Sequence, residues 1–187
     1  MPKLLTFCLI LRCSALLAQE PVHRPPLEGL LRRAGFTLNP APGASGSHEV
    51  TIRWRSTPSI ASAADALPPP TIDVQAVTAI HHAQPPPRQR SAEMSNDHLV
   101  AVILDAQGAA RHWQIVVDPR FVRGEFPDAQ GNLSKTMAYR QDVTLTVTVP
   151  DNIVAKEVRL LAPNWDRLGI VTLTPVATIA LPAGVIK

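Results

Sequence analysis

Six histidines are the side chains with the widest chemical reach in this chain: His23, His48, His81, His82, His98 and His112. Only His81 and His82 adjoin. Neighbours in a strand point to opposite faces, so this pair could share one metal ion only from a loop. The stretch 81–96 is polar and proline-rich and reads as such a loop. His48-Glu49 begins like a zinc-protease motif, but no second histidine follows at helical spacing, and the residues around it alternate like a strand. The histidines therefore predict no metal centre and no cofactor.

Nucleophiles are equally sparse. No serine stands in a Gly-x-Ser-x-Gly elbow. Ser91, Ser95, Asp97 and His98 lie close together, but they precede a strand and read as polar strand-entry residues. The two cysteines, Cys8 and Cys13, fall in the first 18 residues. Once that segment is removed, no thiolate nucleophile, disulfide or cysteine-ligated zinc is left. Glu125 and Asp128 could form an acid pair for glycoside cleavage. Arg120 and Arg123 beside them point instead to surface ion pairs, each worth about 0–1 kcal/mol. Gly43 to Gly46 opens no helix and carries no lysine, so it is no phosphate cradle. No catalytic residue is assigned.

Binding has better candidates. Asp118 to Asp128 sets Phe121 and Phe126 among alternating charges. It reads as a docking loop on a rigid scaffold, with Arg120, Arg123 and Glu125 outward. Trp54 and Trp113 sit at inward phases of their strands. Trp165 lies in a turn, Pro163 to Asp166, and is the surface tryptophan. The candidate partner-binding residues are thus Arg120, Arg123, Glu125 and Trp165.

The elements that must position them come after a targeting segment. Lys3 supplies a positive start, Leu4 to Leu11 an apolar run, and Cys13 to Ala18 a small-residue region. This is the pattern of a signal peptide, residues 1–18, and predicts an exported protein, periplasmic or extracellular. The run is shorter than the roughly 20 apolar residues of a membrane span. Without Lys3 and Arg12 the chain holds 16 basic against 15 acidic residues. So even a balance argues against a nucleic-acid partner.

Residues 19–47 read as a linker with one short helix, Leu27 to Phe36, stopped at Gly35. Asn39 to Ser47 is rich in Pro, Gly, Ser and Ala and predicts a flexible chain. From residue 48 to 187 the pattern is of period two. Val50, Ile52 and Trp54 alternate with charged residues, and Val143, Leu145, Val147 and Val149 with Asp142 and threonines. Thr71 to Ile80 alternates until Val77, where a bulge fits. His98 to Asp105 is apolar on both faces and reads as a central strand, followed by an Asp105-x-x-Gly108 turn. Arg111 to Asp118 returns with Trp113, Ile115 and Val117 inward. Residues 119–141 form a long connection that repeats Asp-Ala-Gln-Gly at 128–131. Lys156 to Leu161, Leu168 to Thr174 and a short Val176 to Leu181 complete the set. Seven or eight short strands without interleaved helices predict an all-β protein: a single antiparallel β-sandwich, immunoglobulin- or fibronectin-III-like.

The order from Asp105 and Gly108 through Trp113 to the Val143–Val149 strand resembles the β-sandwich that precedes the catalytic domain of bacterial secreted metallopeptidases of the IgA-peptidase type. The likeness covers residues 97–162. It implies an accessory domain and carries over no active-site residue, since a His-Glu-x-x-His helix is missing from this sequence. The expected function is a non-enzymatic exported binding or accessory module for protein or cell-envelope contacts. The alternatives are a carbohydrate-binding module using Trp165 and a small secreted hydrolase or inhibitor with a loop-built site.

Overall fold

The computed structural model describes residues 26–56, 72–86, 94–127, 130–131 and 133–182, with the backbone alone for 72, 123–127 and 133–139. The expected signal peptide, 1–18, lies outside the described residues.

Helix α1, Leu27–Arg33, opens after Pro26 and ends on Gly35 at φ 88°. Phe36 N–H donates to the Leu31 carbonyl and Gly35 N–H to that of Arg32, each at 3.0 Å. This paired closure needs a left-handed residue, which glycine supplies without strain. The chain beyond is not the flexible linker that its composition suggests. Leu38 bridges Ala110 in parallel, and Asn39 and Ala41 donate to the carbonyls of Ala110 and Arg111, both at 2.9 Å. Residues 37–41 thus run along the body of the domain as a strap.

Nine strands follow among the described residues: β1 Ser47–Ser56, β2 Ile72–His82, β3 His98–Leu104, β4 Ala110–Val117, β5 Phe121–Pro127, β6 Leu133–Tyr139, β7 Asp142–Pro150, β8 Glu157–Trp165 and β9 Val171–Ala180. They form an antiparallel sheet ordered β2-β1-β7, another ordered β4-β3-β8-β9, and a separate β5-β6 ribbon. The first two sheets face each other, so the all-β sandwich inferred from the alternation is the fold. Val50, Ile52, Trp54, Leu145, Val147 and Val149 of the first sheet meet Leu99, Ala101, Ile103, Val158, Leu160 and Ile179 of the second.

The second sheet is covered on its other side too. Val100, Val102, Leu104 and Leu161 pack under Leu31, Leu27, Phe36 and Leu38. This explains the two apolar faces of β3 and the docking of α1. It also corrects the phase of β4. Val102 pairs with Trp113 and Val100 with Ile115, and directly opposed residues share a face. Trp113 and Ile115 therefore join the helix layer, Val116 packs against the inter-sheet core, and Val117 is exposed.

Other boundaries shift for local reasons. His81 and His82 belong to β2, opposite His48 and Ser47, and not to a loop. In β2 the register slips where Arg53 pairs with Ala76 and Trp54 with Val74, which returns Val77 to the inward face. The long connection 119–141 holds the β5-β6 ribbon. β9 is one continuous strand that contains Pro175. Pro175 pairs with Leu161 beside a register shift on an edge strand, the setting in which sheets accommodate proline.

One end of the sandwich closes on a buried ion pair. Arg120 donates from Nε to Asp118 Oδ1 at 3.0 Å and from Nη2 to Oδ2 at 2.7 Å. Both residues are buried, at 6% and 5% exposure, and Arg120 Cζ stands 5.5 Å from the centre of the Trp54 ring. Removing one partner leaves the other charged and unsolvated. Asp118→Asn or Arg120→Met should therefore destabilise the domain by about 3–5 kcal/mol in denaturant unfolding. A loss under about 1 kcal/mol for both would show that the corner is not closed as described.

His112 on β4 opposes Ile103 and so faces the inter-sheet side at the sheet edge. Burial holds its imidazole below the ordinary value of 6.5. The folded state then binds fewer protons than the unfolded chain, so this contribution to stability is present above pH 6.5 and is lost as pH falls below it. His112→Gln should flatten the stability profile between about pH 7 and 5. An unchanged slope would refute the assignment.

Candidate functional site

The β3-β4 and β8-β9 hairpins turn on the same chemistry. Asp105 Oδ1 accepts from the N–H groups of Gln107 and Ala109 at 3.0 and 2.9 Å, and Gly108 stands at φ 77°. Asp166 Oδ1 accepts from Leu168 and Ile170, both at 2.8 Å, and Gly169 stands at φ 76°. In each turn the first and fourth residues meet the backbone's needs, leaving the two central residues free. The first turn fills them with Ala106-Gln107. The second fills them with Arg167-Leu168, and Ile170 follows where Ala109 stands in the first.

The result is an apolar hairpin tip in water. Leu168 is 84% exposed, Ile170 is 50% exposed, and Trp165 is partly exposed. Trp165 is the last residue of β8, paired with Val171, and not a turn residue. The last pairing of β8 with β3 is at Leu161, so the hairpin continues past β3 with β9 as the partner of its final residues.

The other sequence candidates fall elsewhere. Arg120 does not point outward, since its guanidinium is held on Asp118 inside the corner. Arg123 and Glu125 lie on β5, opposite Met137 and Lys135, in a strand and not a loop. Their side chains lie outside those described.

The same end of the sandwich carries a second feature. A concavity of about 460 Å³ is lined by Arg53, Pro119, Arg140, Asp142, Val143 and Thr144. Arg53 grips Asp142 with two bonds, Nε to Oδ1 at 3.1 Å and Nη2 to Oδ2 at 3.0 Å, and Arg55 Nη2 reaches Oδ2 at 3.5 Å. These contacts, the hydrogen bonds of Arg53 foremost, hold the Asp142 carboxyl below its usual range. Arg140 has no carboxylate partner among the described residues.

Ser95, Asp97 and His98 do come together. Ser95 Oγ lies 2.8 Å from His98 Nδ1 and also bonds Asp97 Oδ1, and Ser95 N–H donates to the same Nδ1 at 3.0 Å. In a catalytic triad the acid orients the base through its far nitrogen. Here Asp97 meets the serine, so the arrangement caps the entry to β3. Among the described residues no three His, Cys, Asp or Glu side chains group so as to hold a metal ion. His48 and His81 stack edge to face, ring centres 5.0 Å apart, and His82 Nε2 is 3.6 Å from Glu49. No helix among the described residues is long and apolar enough to cross a membrane.

No protein-family model matches the chain, and no curated protein or solved structure matches it significantly.

The tip was open to detection in the sequence, because Asp166-Arg167-Leu168-Gly169 repeats the Asp-x-x-Gly spacing of positions 105–108 and 128–131. Leu168 also opens the apolar run that leads into β9, which masks the turn in the sequence. The groove was not detectable, since Arg53, Pro119, Arg140 and Asp142 meet only across the fold. If the tip plays no part in stability, the double variant Leu168→Gln, Ile170→Thr should unfold within about 0.5 kcal/mol of the parent. A larger loss in denaturant unfolding would mean that these side chains pack within the domain.

Proposed function

We propose that this chain is a non-enzymatic exported binding module that docks a protein partner through the β8-β9 tip. The observation that carries this reading is the exposure of Leu168 and Ile170 on a turn whose conformation depends on Asp166 and Gly169. Neither turn geometry nor the core requires them, and exposed large apolar groups at a loop tip disfavour solubility unless they are covered. Trp165 and Arg167 flank them, and tryptophan and arginine are the residues that most often anchor protein interfaces. A carbohydrate platform would call for several aligned aromatic rings, whereas Trp54 and Trp113 pack within the domain layers. Export rests on the N-terminal pattern of residues 1–18 and on the confinement of Cys8 and Cys13 to it. The resemblance to accessory sandwiches of secreted metallopeptidases agrees with this role.

A photo-crosslinking residue at position 168, compared with one at 107 in the equivalent turn, tests the reading in cells. The expected result is one discrete adduct from 168 and none from 107, on a protein whose mature N-terminus begins after the signal segment. Equal crosslinking from both turns, or none from 168, overturns the docking role. Retention of Met1 on the mature chain overturns export.

A further inference from the structure

We propose that the groove between β7 and the Pro119 corner is an anion site for a carboxylate group, with Arg140 as its open contact and Asp142 as an internal competitor. This does not rest on the hairpin tip.

Arg53 and Arg55 both contact a single carboxylate, Asp142, and Arg140 lines the same concavity as Arg53 and Asp142. Arg53 uses two donors on it and Arg55 makes one long contact from outside the lining, which leaves Arg140 as the lining arginine without a carboxylate partner among the described residues. The four groups carry a net charge of two positive units. The walls are preorganised. Arg140 N–H donates to the carbonyl of buried Arg120 at 2.8 Å, so its backbone is tied to the ion-paired corner. Pro119 has a fixed φ, and the Val143 side chain is buried. Thr144 adds a hydroxyl among the lining residues.

The chemistry favours a planar carboxylate. Arg53 and Asp142 already show the two-bond fork that a guanidinium makes with such a group. The site is open to water, so a small free anion binds weakly, in the millimolar range. A carboxylate on a larger molecule gains from further contacts.

Amide and arginine-side-chain NMR at low salt, titrated with succinate and separately with inorganic phosphate, tests this on the full chain. The expected result is saturable shifts confined to Arg53, Arg140 and residues 142–144, with succinate the tighter ligand. Arg140→Gln should weaken succinate binding about tenfold. Asp142→Asn, which removes the competitor, should tighten it about three- to tenfold. Arg32→Gln on α1 should change nothing. Unchanged affinity in Arg140→Gln, no gain in Asp142→Asn, or shifts that never saturate would each overturn the site. Tighter binding of phosphate would overturn the carboxylate assignment. If Asp142→Asn fails to fold, Arg140→Lys takes its place. Lysine keeps the charge but loses the fork, so its affinity should fall between those of the parent and Arg140→Gln. Parental affinity in both Arg140 variants would overturn the role of that residue.

Discussion

Strand β3 is apolar on both faces, and this single requirement organises the domain. Leu99, Ala101 and Ile103 need one apolar partner surface, Val100, Val102 and Leu104 another. The first is the β2-β1-β7 sheet. The second is α1 with the strap that follows it. Burial of a full aliphatic side chain is worth about 1.5–3 kcal/mol, so an uncovered outer face would forfeit a large share of a domain's net stability. A segment with the composition of a linker is therefore held in place as a third layer. Phe36, next to the glycine cap of α1, lies under the Arg159 guanidinium, whose Cζ is 5.8 Å from its ring centre.

The edges of the sandwich are handled by small local devices. β9 carries Pro175 at its register shift. β7 has its Thr148 carbonyl taken by the side chain of Gln114 from the opposite sheet, at 3.0 Å. That bond crosses the open side of the sandwich between β4 and β7. Each device reduces the backbone available for pairing with another chain.

The closed end links stability to recognition. The buried Asp118-Arg120 pair stands on Trp54, fixes the Pro119 corner and receives the N–H of Arg140. A buried ion pair is weak evidence for stability by itself, because desolvation offsets much of the attraction. Its clearer consequence here is geometric. It holds one wall of the arginine groove, on the end of the domain from which the β5-β6 ribbon leaves and toward which the β8-β9 hairpin extends.

Alternation and turn chemistry were legible from the residues alone. Period two in β1 and β7, the doubly apolar β3 and the Asp-x-x-Gly turns follow from local rules, since side-chain direction and left-handed glycine are properties of a few consecutive residues. The outward fate of Trp113 and Ile115 was not legible. Alternation shows that two faces differ, and only pairing with Val102 and Val100 decides which face meets which layer. Arg120 illustrates the same limit. Its sequence neighbours are charged and proline-bounded, as in a surface loop, yet Asp118 two residues away and Trp54 far back in the chain enclose its guanidinium. The groove is a purely tertiary object, because Arg53 belongs to β1 while Arg140 and Asp142 stand at the entry to β7, some 90 positions on. The sequence by itself thus determined strands, turns and the apolar demand of β3. Tertiary structure decided which charges are buried, which are shared and which remain free, because charge pairing depends on distances that no local pattern encodes.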